Sequence, residues 1–174
     1  MNRIKKLFQN NSEKLMPFIT AGYPKLDSTV ELVLCAEECG ADMVEIGIPF
    51  SDPQADGPII QKASQIALDN GITLEIIFNQ VRQIREKSDI PIALMGYYNP
   101  ILKMGQESFI KECTLSDVDG IILPDLPLEE AKEFCDMSKA SKISPILLVA
   151  PNSSKERIKK ISVSYTHLRA HETK

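Results

Sequence analysis

The stretch from residue 45 to residue 58, EIGIPFSDPQADGP, holds the side chains best suited to proton chemistry. Glu45 interrupts an apolar run, and Asp52 and Asp56 follow it in the same segment. A carboxyl group in an apolar environment loses hydration, which raises its pKa and suits it to exchange protons near neutral pH. Asp56 would instead lie beside a helix terminus. Two carboxyl groups in such different environments are typical of an acid and base pair with divided roles.

Each of these carboxylates also has an ordinary structural explanation. Glu45 could form an ion pair with a lysine of a neighbouring strand. Asp56 lies two residues before Pro58, which suits the first turn of a helix, so Asp56 could be the cap of that helix. Asp52 competes with Asp56 for the role of second carboxylate.

Short apolar runs alternate with stretches of helical period, which predicts βα units and a parallel sheet. The first long helix is expected to begin with a capping box, Ser28 and Glu31, and to end at Gly40. The predicted strands are 15–20, 42–48, 90–95, 119–124 and 144–150. The predicted helices are a short one around Ile4 to Phe8 and longer ones near 28–39, 58–70, 74–88, 106–116, 128–141 and 153–162.

These units fit either an open doubly wound sheet or the first five strands of an eight-stranded barrel. Alternation along the second strand places its apolar residues on one face and Glu45 and Gly47 on the other. An open sheet covered by helices on both sides needs apolar residues on both faces, whereas a barrel strand turns one face to the interior. The pattern therefore favours the barrel, with Glu45 facing inward near the carboxyl ends of the strands.

The composition excludes several classes of protein. At 174 residues the chain is long enough for one well-buried domain. Its formal net charge of −4, with Lys and Glu evenly scattered, lacks the basic face of a nucleic-acid binder. The charged amino terminus has no signal-peptide core and the apolar runs are too short to span a bilayer, so we expect a cytosolic protein that is not attached to membranes.

The cysteines are expected to be free thiols in a reducing compartment. They all fall in predicted helices: Cys35, Cys39, Cys113 and Cys135. Cys35 and Cys39 are four residues apart and could meet on one helix face. No histidine or further cysteine lies near them in sequence, and zinc normally takes four such ligands, so the sequence predicts no metal site.

The fourteen residues EIGIPFSDPQADGP resemble the signature of the tryptophan synthase alpha subunit family. Four further segments agree with that family in order and spacing: PFITAGYP, GYYNPI, GIILPDLPLEE and LVAPNS. The resemblance covers residues 1–162 and implies a TIM-type βα barrel. It also implies a lyase that cleaves indole-3-glycerol phosphate to indole and glyceraldehyde 3-phosphate in L-tryptophan biosynthesis.

The resemblance assigns roles to individual residues. Glu45 matches the family's proton acceptor and donor. Asp56 matches the aspartate that hydrogen-bonds the indole nitrogen and stabilises the positive charge on the protonated ring. Asp125 would lie near the site, although a loop-capping role is favoured for it. Residues that line the family's indole pocket correspond to Phe18, Ile60, Met95, Tyr97 and Ile122, for which ordinary barrel packing is the alternative.

The resemblance also implies a partner, the beta subunit of an α2β2 complex, which carries pyridoxal phosphate and receives the indole. This chain itself would need no cofactor. The segments 51–58 and 98–102 are expected to face the beta subunit. Alternatives are another phosphate-using βα-barrel enzyme of indole metabolism, or a non-catalytic chain that only docks on the beta subunit.

The chain departs from the family after about residue 162. Residues 1–162 are predicted to form a partial barrel of five βα units, whereas residues 163–174 look like translated sequencing adapter and hold both histidines, His167 and His171. No metal site is predicted there. The family's phosphate-binding loops follow later strands, so the chain as written is expected to be inactive and prone to aggregate through its open sheet edges.

Overall fold

Five short strands alternate with eight helices along the described part of the chain. The structure, a computed structural model, describes residues 2–9, 12–127, 129–149 and 152–164. The strands are β1 (Phe18–Thr20), β2 (Val44–Gly47), β3 (Ile92–Met95), β4 (Gly120–Ile122) and β5 (Ser144–Ile146). The helices are α1 (Arg3–Leu7), α2 (Ser28–Glu38), α3 (Pro58–Asp69), α4 (Leu74–Arg85), α5 (Tyr98–Met104), α6 (Gln106–Leu115), α7 (Lys132–Ala140) and α8 (Lys155–Ser164).

The strands form one parallel sheet in the order β1-β2-β3-β4-β5, so each βα unit adds its strand beside the previous one. An open doubly wound sheet reverses its strand order at a switch point, and this sheet does not. The sequential order is that of a barrel wall. The prediction of TIM-type barrel units, with strands inside the five predicted ranges, is therefore confirmed.

The two faces of the sheet carry different side chains. Ile46, Leu94 and Ile121 are buried on the outer face and pack with the helices in the larger hydrophobic cluster. The inner face carries Glu45 beside Ala93 in the register of β2 and β3. The asymmetry expected from the alternation in β2 is therefore present in the folded chain.

Helix α1 packs against the inner face of the sheet. Its Ile4 is buried in a second cluster with Met43, Ala93, Ile122 and Ile146. Gly120 leaves room for this contact, because a Cβ there would lie 2.7 Å from Cδ1 of Ile4. These apolar contacts fill the interior below the site and hold α1 against the strands.

An ion-pair cluster fastens α1 to β3 and β4. The Asp119 carboxylate is 4% exposed and lies 2.7 Å from Nη2 of Arg85 and 3.2 Å from Nη1 of Arg3. It also accepts a hydrogen bond from the backbone N–H of Ile92 at 3.0 Å. Arg3 further hydrogen-bonds Asp117, which lowers the pKa of that carboxyl. A buried carboxylate held by two guanidinium groups in this way is costly to leave unpaired.

One prediction at the start of α2 was wrong. The capping box of α2 does not form, because Asp27 is the N-cap and makes no side-chain cap hydrogen bond. Ser28 already lies inside the helix, and its N–H is bonded to the carbonyl of Lys25. Residues 98–102, expected to face the beta subunit, form part of α5, a helix that was not among the predicted ones.

Residues 165–174, most of the predicted non-family tail with both histidines, lie outside the described residues. The prediction that residues 163–174 are not family sequence stays a prediction. None of the helices in the described part of the chain is both long enough and apolar enough to cross a lipid bilayer.

Candidate functional site

A small cavity opens at the carboxyl ends of β1, β2 and β3. Its volume is about 20 Å³, which is close to the space that one water molecule occupies. Five of the residues predicted to contact substrate or perform catalysis line it: Phe18, Asp56, Ile60, Met95 and Tyr97. Ile122 is not part of this lining and is buried in the inner cluster, in register with Met95.

The Phe18 ring limits the size of this cavity. It lies over Gly47, where a Cβ would come within 2.3 Å of the ring atom Cζ. Glycine at position 47 therefore makes room for the aromatic ring. The cavity as it stands is too small for an indole ring.

Glu45 lies on the inner face of β2, two residues before Gly47, and does not line the cavity itself. Its side chain is partly buried, and this burial raises the pKa of the carboxyl. Among the described residues no lysine or arginine forms an ion pair with Glu45, so the expected alternative of a lysine partner is not observed there. An unpaired carboxyl group with a raised pKa holds its proton more readily than a solvated one, which suits it to donate as well as accept a proton.

Asp56 does not cap α3, because the N-cap of that helix is Gly57 and no side chain caps it. Its carboxylate instead accepts a hydrogen bond from the Tyr97 hydroxyl at 3.2 Å. The same hydroxyl accepts one from the N–H of Ala55 at 2.8 Å. Burial, with a smaller contribution from Asp56, raises the pKa of Tyr97, so the phenol remains a donor. Tyr97 therefore holds both the carboxylate and its loop.

The Tyr97 ring is itself supported by Phe50, whose centroid lies 5.4 Å away. Asp125 contacts the next residue of the chain: both its carboxylate oxygens lie 3.0 Å from the N–H of Tyr98, the first residue of α5. The favoured capping role of Asp125 thus agrees with its contacts. Asp52 contacts Ser51 and lines a separate surface groove, so it does not share the cavity with Asp56.

Two polar residues that line the cavity were not predicted from the sequence, Thr20 and Ser64. Thr20 lies two residues after Phe18, so strand alternation alone could have placed it on the same face. Ser64 lies one helical turn after Ile60 in α3, and the same periodic argument would have found it. In the described residues no group of three or more His, Cys, Asp and Glu side chains could hold a metal ion.

The family model for the tryptophan synthase alpha chain matches residues 4–168 of this sequence. The chain belongs to the tryptophan synthase alpha chain family. The resemblance seen in the sequence is thereby confirmed, and the matched region runs a few residues past the predicted boundary at 162.

Two relatives in this family are identical to the chain at about half of the aligned positions. The tryptophan synthase alpha chain of Petrotoga mobilis is 51% identical over 162 residues, which cover 93% of this chain and 62% of the relative. The alpha chain of Caldanaerobacter subterraneus subsp. tengcongensis is 51% identical over 166 residues, which cover 93% of this chain and 63% of the relative. The chain thus spans less than two thirds of the length of these relatives.

Solved structures of the family match the fold closely. The tryptophan synthase α2β2 complex from Pyrococcus furiosus contains a chain that is 44% identical, with a TM-score of 0.84, covering 88% of this chain and 65% of that one. The alpha subunit from Legionella pneumophila str. Paris is 40% identical, with a TM-score of 0.89, and the match covers 95% of this chain and 65% of that one.

Proposed function

We propose that this chain carries the proton-transfer groups of a lyase that cleaves indole-3-glycerol phosphate to indole and glyceraldehyde 3-phosphate. The observation that carries the proposal is the environment of Glu45. This carboxyl group faces inward and has no ion-pair partner among the described residues, and its burial raises its pKa. Membership of the tryptophan synthase alpha chain family supports it.

The reaction needs two proton transfers and the rupture of one carbon–carbon bond. A ring carbon of the indole takes up a proton, and the side-chain hydroxyl gives one up as its carbon becomes the aldehyde of the product. The bonding electrons return to the ring, which leaves as indole. Glu45 would donate the first proton and accept the second, a task for which a raised pKa is suited.

Asp56 would accept a hydrogen bond from the indole N–H and stabilise the positive charge on the protonated ring. The Tyr97 hydroxyl would position that carboxylate, since it already donates a hydrogen bond to it at 3.2 Å. Phe18, Ile60 and Met95 would contact the ring from the cavity wall, and Ile122 would support Met95 from below. Movement of the Phe18 ring off Gly47 would admit the substrate.

The proposed partner is a tryptophan synthase beta subunit, which would carry pyridoxal phosphate, while this chain would act without a cofactor in the cytoplasm. The α2β2 complex of the Pyrococcus furiosus relative supports this partner. Two large apolar side chains, Ile59 at 82% and Leu102 at 51%, are exposed near the carboxyl ends of the strands, in the segments proposed to contact that partner.

The activity can be tested in a joined chain, in which residues 1–162 are followed by the part of the Petrotoga mobilis alpha chain that lies beyond the matched region. We expect the joined chain to release indole from indole-3-glycerol phosphate. Glu45→Gln should lower kcat by at least about 10²-fold while KM changes little, because proton transfer is removed and the contacts that bind substrate are retained. Exposed Glu13→Gln is the matched control and should be neutral.

Unchanged indole release by Glu45→Gln would refute the assigned role. A joined chain that is folded and binds the beta subunit, but never releases indole, would favour the docking alternative. Turnover of a different indole precursor would favour the other barrel enzymes.

A further inference from the structure

Two thiols lie side by side on the outer surface of α2, away from the candidate site. Cys35 belongs to the last turns of the helix and Cys39 is its C-cap, with the N–H of Cys39 bonded to the carbonyl of Cys35 at 2.9 Å. Both residues are exposed, and their side chains hydrogen-bond each other. The other two cysteines, Cys113 and Cys135, are buried. The helix thus presents a preformed dithiol to solvent.

We propose that Cys35 and Cys39 form a chelating site for trivalent arsenicals. Each thiol condenses with one hydroxyl group of an arsonous acid, R–As(OH)2. Two As–S bonds form, two As–O bonds break, and two water molecules leave with the thiol protons. The oxidation state of arsenic does not change, so the step needs neither an oxidant nor a reductant.

The geometry suits a small pyramidal centre. Two thiols four residues apart on one helix face can both bond to one arsenic atom with a bent S–As–S angle, and the helix holds them on that face before binding. Preorganisation of this kind favours a two-point ligand over two separate one-point contacts. Leu32, three residues before Cys35, is 38% exposed on the same side of α2 and offers apolar contact to an organic substituent on the arsenic.

The same surroundings disfavour a zinc site. The described residues contain no group of three His, Cys, Asp or Glu side chains placed to hold a metal, and structural zinc takes four ligands. The charge of Cys39, its hydrogen bond, and the nearby Glu38 and Glu31 raise the pKa of Cys35. Zinc requires thiolates, whereas the condensation with an arsonous acid consumes protonated thiols.

The test uses the full 174-residue chain, reduced with a phosphine, and phenylarsine oxide as the probe, which hydrates to phenylarsonous acid. Intact-mass spectrometry should show one phenylarsenic group per chain, with Cys35 and Cys39 protected from alkylation. Because the proposed site is bidentate, removing half of the phenylarsenic adduct from the parent chain should take about 100-fold more glutathione than removing it from Cys35→Ser or Cys39→Ser. Cys113→Ala also removes one thiol and should behave like the unmodified chain.

A second variant separates spacing from thiol number. Glu37→Cys combined with Cys39→Ser keeps four thiols but moves the second thiol of the pair about 200° around the helix. The adduct of this variant should therefore lose its resistance to glutathione. Far-UV circular dichroism checks that each variant folds like the parent. The proposal is overturned if the parent forms no adduct at equimolar probe. It is also overturned if the adduct maps to Cys113 and Cys135, or if the displaced thiol retains full resistance.

Discussion

Replacing Glu45 with glutamine is expected to stabilise the fold at neutral pH, although it should abolish the proposed chemistry. Burial raises the pKa of Glu45 above its ordinary value of 4.5, and no ion pair among the described residues offsets the lost hydration. The ionised carboxylate therefore costs free energy in the folded state, and the neutral amide of similar shape does not.

The sign follows from proton binding. The folded chain holds a proton on Glu45 over a pH range in which the unfolded chain has released it. The stability of the parent therefore falls as pH rises from about 4.5 through the folded pKa. The partial exposure of Glu45 reduces this contribution, so we expect a modest gain at neutral pH, larger than the roughly 0.5 kcal/mol within which exposed substitutions fall.

Urea unfolding of the joined chain at a series of pH values measures this difference in the same preparations used for indole release. Glu45→Gln should match the parent near pH 4 and exceed it by more than about 0.5 kcal/mol at pH 8. Exposed Glu13→Gln should stay within about 0.5 kcal/mol of the parent throughout. A loss of stability in Glu45→Gln at pH 8, or a gain that does not depend on pH, would refute the reasoning.

Two further predictions concern stability and can be read from urea midpoints of the same protein. Asp119→Ala should cost about 3–5 kcal/mol, because it removes the buried carboxylate 2.7 Å from Arg85 and leaves that largely buried guanidinium only the exposed Asp117 at 3.8 Å. Asp89→Ala, at a carboxylate side chain 94% exposed, should cost under about 1 kcal/mol. Equal effects would contradict the buried ion pair. Gly47→Ala should cost about 1–3 kcal/mol, since its Cβ would meet the Phe18 ring at 2.3 Å, and Phe18→Leu in the same chain should recover part of that loss. Strict additivity of the two changes would argue against the contact.

Local patterns in the sequence were sufficient to predict the strands and the face of β2 on which Glu45 lies. Successive side chains of a strand point to opposite faces, so Glu45 and Gly47 lie on one face of β2 and Ile46 on the other. The family motif added the assignment of Glu45 and Asp56 to a shared site, which their spacing left undecided. Thr20 and Ser64 were within reach of the same periodic reasoning.

The tertiary structure decided which polar groups meet. Asp56 and Tyr97 are 41 residues apart and hydrogen-bond only because β2 and β3 are neighbours whose loops leave the same edge of the sheet. Asp125 and Tyr98 meet across β3 and β4 in the same way. The sequence has no local signal for such pairs, since their distance depends on strand register and loop path. The alternative of a cap at Asp56 is not observed, because Gly57 is the N-cap of α3, and the carboxylate hydrogen-bonds Tyr97, a partner that only the folded sheet supplies.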